Sequence, residues 1–182
     1  FDNGLDGLYA QLPNAKFDLI SANYDFSNTL LDGHVKPYKI FLVDGIKIGI
    51  FGLGIALDGL VMKKFYQETQ YLDPIEIAQT MSQTLKIEEK CDVVVCLSHL
   101  GYAYKDEQRP SDLVLAANTE NIDLVIGGHT HTFLDKPTIV VNRKGQNMLI
   151  NQVGCYGINL GRIDFYFDEQ NNASTNGVSI VV

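Results

Sequence analysis

The sequence predicts an α/β fold in which βαβ units come first and a β-meander closes the chain. Three observations predict it. Residues 92–98, Asp-Val-Val-Val-Cys-Leu-Ser, form a nearly continuous apolar run that suits a strand covered on both faces. An amphipathic stretch at 74–89 precedes that run, as a βαβ unit requires. After residue 138 only short β-rich segments remain, at 138–141, 148–153, 161–167 and 178–182.

Taken in order, residues 17–23 read as a strand. Residues 38–43 and 46–51 read as hairpin arms joined by Asp44-Gly45, a favoured two-residue turn in which glycine supplies the positive φ. The helix at 74–89 has Asp73 as its N-cap, Pro74 in its first turn and Glu76 placed to complete a capping box. Ile75, Ala78, Met81, Leu85 and Glu88 follow at spacings of three and four, so an apolar stripe faces a sheet. Ser111 caps a short helix through Ala117, and residues 123–126 give another buried strand. In 161–167, Arg162 and Asp164 alternate with Ile163 and Phe165, which suits a half-exposed antiparallel strand. Residues 171–177 read as a turn-rich hairpin connection, and no repeat or low-complexity linker divides the 182 residues.

Composition excludes several classes. With 46% hydrophobic and 20% charged residues, the chain is neither disordered nor fibrous. The balance of 14 Lys+Arg against 22 Asp+Glu, a net −8, argues against a nucleic-acid polymer as partner, because phosphate-tracking grooves need clustered cations. No apolar run approaches the roughly 18 residues of a transmembrane segment. Cys91 and Cys96 are oddly spaced on one strand and so point to opposite faces; with Cys155 they read as small buried hydrophobes.

Three of the four histidines lie just past the ends of buried strands. His99 follows the 92–98 run, and His129 and His131 follow Leu124-Val125-Ile126-Gly127-Gly128. In open α/β sheets ligands bind outside the carboxyl ends of strands, so two adjacent parallel strands would aim these imidazoles at one crevice. Side chains at i and i+2 across a tight glycine-led loop reach two neighbouring points, which suits two metals about 3.5–4 Å apart. Two such metals also need carboxylates, and no Asp or Glu lies in a matching strand-end loop. Asp106 and Glu107 read as a solvated pair, Asp135 as a loop residue and His34 as solvent-facing. Two other readings stand beside this one. The three imidazoles could form a single zinc site in a non-catalytic metal-binding or interaction domain. Gly52-Leu53-Gly54 could open a nucleotide-binding fingerprint, although Leu57 occupies the third glycine position.

The motifs in sequence order are Ser21-Ala22-Asn23, Ser98-His99-Leu100-Gly101, Gly127-Gly128-His129-Thr130-His131 and Gln152-Val153-Gly154-Cys155-Tyr156-Gly157 leading to Leu160-Gly161-Arg162. Together they resemble the calcineurin-like metallophosphoesterases, in the 5′-nucleotidase branch. The resemblance implies a portion of a four-layer αββα sandwich with mixed β-sheets and a dinuclear centre of divalent ions (zinc, manganese or iron). It implies that His99 and His129 bind one metal and His131 the other. Phe1-Asp2 matches the end of a Gly-Asn-His-Glu-Phe-Asp motif, so the resemblance implies that Asp2 is the acid that orients the missing motif histidine, which in the family acts on the leaving group. Activated water would attack phosphorus in line while both metals neutralise the growing charge.

The family's Asp-x-His and Gly-Asp motifs stand ahead of the one that Phe1-Asp2 would end, and neither is found in that place. Residues 1–182 are therefore expected to be a single, N-terminally truncated catalytic domain without a C-terminal nucleotide-specificity domain. Such a fragment is expected to hold metal partly or not at all and to be inactive alone. The expected substrate is a small phosphate ester or nucleotide. An exposed sheet is expected to drive dimerisation or strand exchange. The resemblance also implies a periplasmic or cell-surface setting.

Overall fold

The structure, a computed structural model, describes residues 1–106, 108–168 and 173–182. Helix α1 (Gly4–Gln11) opens the chain and is followed by three two-residue strands, β1 (Leu19–Ile20), β2 (Tyr24–Asp25) and β3 (Val35–Lys36). Then come β4 (Tyr38–Val43), β5 (Ile46–Leu53), α2 (Lys63–Tyr66), β6 (Gln70–Tyr71), α3 (Pro74–Gln83) and β7 (Val93–Ser98). The remainder is α4 (Asp112–Asn118), β8 (Leu124–Ile126), β9 (Thr138–Val141), β10 (Asn147–Asn151), β11 (Asn159–Phe167) and β12 (Ala173–Val181).

The hairpin forms where its turn requires it. Asp44 and Gly45 take φ of 49° and 86°, the left-handed pair of a mirror-image turn, and Val43 pairs with Ile46 across it. Helix α3 starts at Asp73, whose carboxylate accepts from the amides of Ile75 and Glu76 at 2.9 and 3.0 Å. The return bond of the capping box, from Glu76 to the Asp73 amide, is not formed among the described residues. The helix does not run unbroken to residue 89: Thr84–Glu88 is a π turn, closed by Glu89 N–H on the Thr84 carbonyl at 2.9 Å. The wider turn leaves Leu85 fully buried.

One six-stranded sheet runs β4-β5-β7-β8-β10-β9. The inner strands β5, β7, β8 and β10 are parallel, and antiparallel β4 and β9 form the edges. Because side chains alternate along β7, Val94 and Cys96 join the fully buried core with Ala78, Leu85, Leu115 and Ala116 of the helical side. Val93 and Val95 point the other way and meet Ile163, Phe165 and Phe167 of β11.

This second face corrects the predicted closing meander. β9 and β10 complete the main sheet, whereas β11 and β12 pair only with each other and lie over its back. A parallel sheet buries both faces, and β11 supplies the missing cover with alternate apolar residues. The layers are therefore helix, mixed sheet and second sheet, the portion of the sandwich that was expected. Residues 173–177, predicted as part of a loop, belong to β12, while Asn171 and Asn172 lie outside the described residues. The strand predicted at 17–23 shrinks to Leu19–Ile20, and Phe17 is exposed. Beyond Ile20 the chain crosses between neighbours: Ser21 N–H meets Lys36 O, and Ala22 N–H meets Gly52 O, each at 2.8 Å.

Candidate metal centre

The carboxyl ends of β5, β7, β8 and β10 form one rim, and the histidine loops stand on it. His99 follows β7, and its amide donates to Leu53 O on β5 at 2.8 Å. The Gly127-Gly128-His129-Thr130-His131 loop follows β8, and Gly127 N–H is tied to Asn151 O on β10 at 2.8 Å. Since β7 and β8 are parallel neighbours, His99 and His129 come together with ring centroids 5.2 Å apart, edge to face at 68°. His129 and His131 both adopt left-handed φ, 70° and 52°, which is uncommon outside glycine. Such local strain is stored where surrounding structure over-determines it. His131 is exposed, with its ring 6.3 Å from that of Tyr156.

Beneath the rings lies a buried polar brace. Ser98 Oγ donates to Asp112 Oδ1 at 2.5 Å and accepts from the Leu100 amide at 3.1 Å. Gln152 Nε2 donates to Gly128 O at 2.9 Å, and its Oε1 accepts from Thr130 Oγ1 at 3.1 Å and from Thr132 N–H at 2.5 Å. Tyr102 N–H donates to Thr130 Oγ1 at 2.9 Å, joining the two histidine loops directly. Gly127 is required by proximity: a β-carbon there would sit 2.2 Å from Asp112 Oδ2 and 3.0 Å from Gln152 Nε2. The sequence alone gives Asp112 no role, and Gln152 stands in the Gln152–Gly157 motif without one. The available signals were an acid inside the apolar pattern Leu113-Val114-Leu115-Ala116 and an amide directly after the apolar strand β10.

Electrostatics favour neutral imidazoles. Partial burial lowers the His99 pKa, and the charges of His129 and His131 lower it further. For His129 burial again leads, followed by Arg109 and His131. The Arg109 guanidinium lies over the Tyr104 ring at 3.8 Å, and the Tyr104 hydroxyl donates to Leu100 O at 2.6 Å, so this cation is held on the His99 loop. Burial pushes Asp112 up to about 7, against the opposing pull of Ser98 and Gln152.

The other predicted residues fall elsewhere. Asp2 is exposed in the turn before α1 and makes no hydrogen bond to the three histidines among the described residues. Its neighbour Phe1 stacks edge-on against Tyr24, with ring centroids 5.5 Å apart. His34, Asp106 and Asp135 are exposed, and Glu107 lies outside the described residues. Cys91 and Cys96 are buried thiols, and Cys155 is half-buried. The glycines of Gly52-Leu53-Gly54 answer to packing: a β-carbon would meet Ile20 O at 2.6 Å at the first and Tyr24 Oη at 2.2 Å at the second. Asn23 clasps Gly54 by both backbone groups, each at 2.8 Å.

His99 and His129 place two imidazoles, a side chain able to ligate a divalent cation, with ring centroids 5.2 Å apart. The single three-imidazole zinc site does not form: among the described residues no three His, Cys, Asp or Glu side chains gather around one point. Next to His99, a pocket of about 420 Å³ is lined by Phe1, Ile20, Tyr24, Leu97, Ile126 and neighbouring residues. Leu97 and Ile126 are 40% and 45% exposed there, outside the cluster that β11 covers.

Comparison with known proteins identifies the family. Residues 1–133 match the model of the calcineurin-like phosphoesterase family. The chain is 33% identical to the trifunctional nucleotide phosphoesterase YfkN of Bacillus subtilis, over 92% of the chain but 12% of that protein. It superposes on a 5′-nucleotidase precursor from Thermus thermophilus with a TM-score of 0.82 and 29% identity, covering all of this chain and 37% of that one. Against the NAD nucleotidase of Haemophilus influenzae the TM-score is 0.83 at 26% identity, covering all of this chain and 38% of that one. The chain thus spans from about an eighth to under two-fifths of the length of these relatives. The family match over residues 1–133, together with 33% identity over 92% of the chain, leads to one conclusion: the chain belongs to the calcineurin-like phosphoesterase family.

Proposed function

We propose that this chain contributes to metal-dependent hydrolysis of phosphate esters, with nucleotides carrying a 5′-phosphate as the substrate class. The observation that carries the reading is the edge-to-face His99–His129 pair at the carboxyl ends of two adjacent parallel strands. The nucleotidases among its structural relatives support the substrate class.

In this reading His99 and His129 hold one divalent cation and His131 a second, with zinc, manganese or iron as candidates. Bound cations supply charge neutralisation at the phosphoryl oxygens and acidify water. The chain's own part is to keep imidazole lone pairs free, which the lowered pKa values of His99 and His129 favour at neutral pH. In the net reaction a water oxygen bonds to phosphorus, the ester P–O bond breaks, and the leaving alkoxide takes up a proton. Asp2 would orient the histidine of the Gly-Asn-His-Glu-Phe-Asp motif, which is none of the four histidines of this sequence, and Arg109 adds positive potential beside His129. A periplasmic or cell-surface setting accompanies this reading, as the family resemblance implies.

Paramagnetic Mn²⁺ tests it. Added to the 182-residue chain, Mn²⁺ should broaden the imidazole resonances of His99 and His129 well before those of His34. Uniform broadening of all four histidines, or none, would count against it.

A further inference from the structure

We propose that Asp112 is a positioning residue: from the first turn of α4 it fixes the spacing of His99 and His129 by bracing the backbone at Ser98, just before the one, and at Gly127, two residues before the other. The proposal rests on the metal-centre reading for its purpose, but its geometry is independent of any ion. Asp112 is fully buried. One carboxylate oxygen takes the Ser98 hydroxyl at 2.5 Å, and that hydroxyl also receives the Leu100 amide, so Asp112 holds the turn that carries His99. The other oxygen, Oδ2, has no hydrogen-bond partner among the described residues and lies against Gly127, two residues before His129.

Gln152 completes the support on the far side of Gly127. Its amide holds the Gly128 carbonyl and, through Thr130 and Thr132, the residues on either side of His131. A buried carboxyl group is costly in an apolar core, and the Ser111 cap of α4 does not require an acid at the next position. Its benefit lies at the rim. Ser98 cannot turn without releasing the Leu100 amide, and Gly127 cannot approach without meeting Oδ2, so the two histidine loops are held at one separation. Hydrogen-bonded groups that orient metal-binding histidines act in the same way on affinity.

The test uses the 182-residue chain and three variants, Asp112→Ala, Asp112→Asn and Ser98→Ala, with circular dichroism to establish that each is folded. The first readout is the nuclear Overhauser contact between the His99 and His129 ring protons, measured without metal. The second is Zn²⁺ affinity by calorimetry. Asp112→Ala should lose the ring-to-ring contact and bind Zn²⁺ about 10-fold more weakly. Asp112→Asn keeps an acceptor for Ser98 and should retain the contact. Ser98→Ala should weaken the contact, and it carries the test alone if Asp112→Ala does not fold. A folded Asp112→Ala with the contact intact and Zn²⁺ affinity within about twofold of the parent would overturn the proposal, as would an intact contact in Ser98→Ala. If the parent binds no Zn²⁺, the metal reading fails and the ring contact still decides the role of Asp112.

Discussion

The β-carbon that Gly127 lacks would occupy a point 2.2 Å from Asp112 Oδ2. The glycine and the acid are therefore mutually dependent: the chain entering the His129 loop passes this close only because no side chain is there. Gly127→Ala should cost about 1–3 kcal/mol by forcing the loop off the carboxylate. Gly128→Ala brings a β-carbon 3.1 Å from His99 Nδ1, a contact with a movable ring, and should cost less while displacing His99. Chemical denaturation of both variants checks the order; equal costs would contradict it.

The same carboxylate makes stability depend on pH. Asp112 titrates at about 7 in the fold against 3.8 ordinarily, so between those values the unfolded chain has released a proton that the folded chain retains. Stability from this group is therefore full below the ordinary value and falls as pH rises towards 7, at up to about 1.4 kcal/mol per pH unit. Above that it is level. Asp112→Asn removes the dependence, so the parent should lose stability relative to the variant from about pH 4 to 7. Parallel denaturation profiles for the two would contradict this.

Turnover follows from the ligand inventory. Among the described residues no carboxylate joins the imidazoles in a set of three, and hydrolytic metal pairs depend on carboxylates for charge and bridging. The 182-residue chain alone should hydrolyse a nucleoside monophosphate in the presence of Mn²⁺ or Zn²⁺ no faster than the blank. Turnover well above blank, abolished by a chelator, would contradict the prediction.

Much of the fold was legible because it rests on local chemistry. The Asp44-Gly45 turn, the Asp73 and Ser111 caps and the apolar run at β7 each declare themselves within a few residues, and each appears where it was read. The meander was misread because β10 pairs with β8 while β11 does not, and pairing partners are set by which sheet face needs cover. In the candidate site, the approach of His99 and His129 was legible from strand ends followed by loops that carry glycine beside the histidine. Asp112 and Gln152 were not, because a buried polar residue looks like a surface residue until the packing around it is known. Phe17 failed for the opposite reason: an aromatic residue beside a strand is exposed when no layer covers it.

Uncovered apolar surface predicts self-association. Leu97 and Ile126 face solvent at the rim, and edge strands β4 and β9 expose Leu42 at 73% and Ile139 and Val141 at 62% each. Light scattering should show dimers or larger species, reduced by Ile126→Asp or Leu42→Lys. A compact monomer at every concentration would contradict this.

The central claim is that His99 and His129 grip one divalent cation between them. Calorimetric titration of Zn²⁺ into the parent chain, His99→Ala, His129→Ala and His34→Ala tests it most directly. Saturable binding by the parent and by His34→Ala, weakened at least about 10-fold in both rim variants, is the predicted result. Binding that is absent in the parent, or unchanged when either rim histidine is removed, would contradict it.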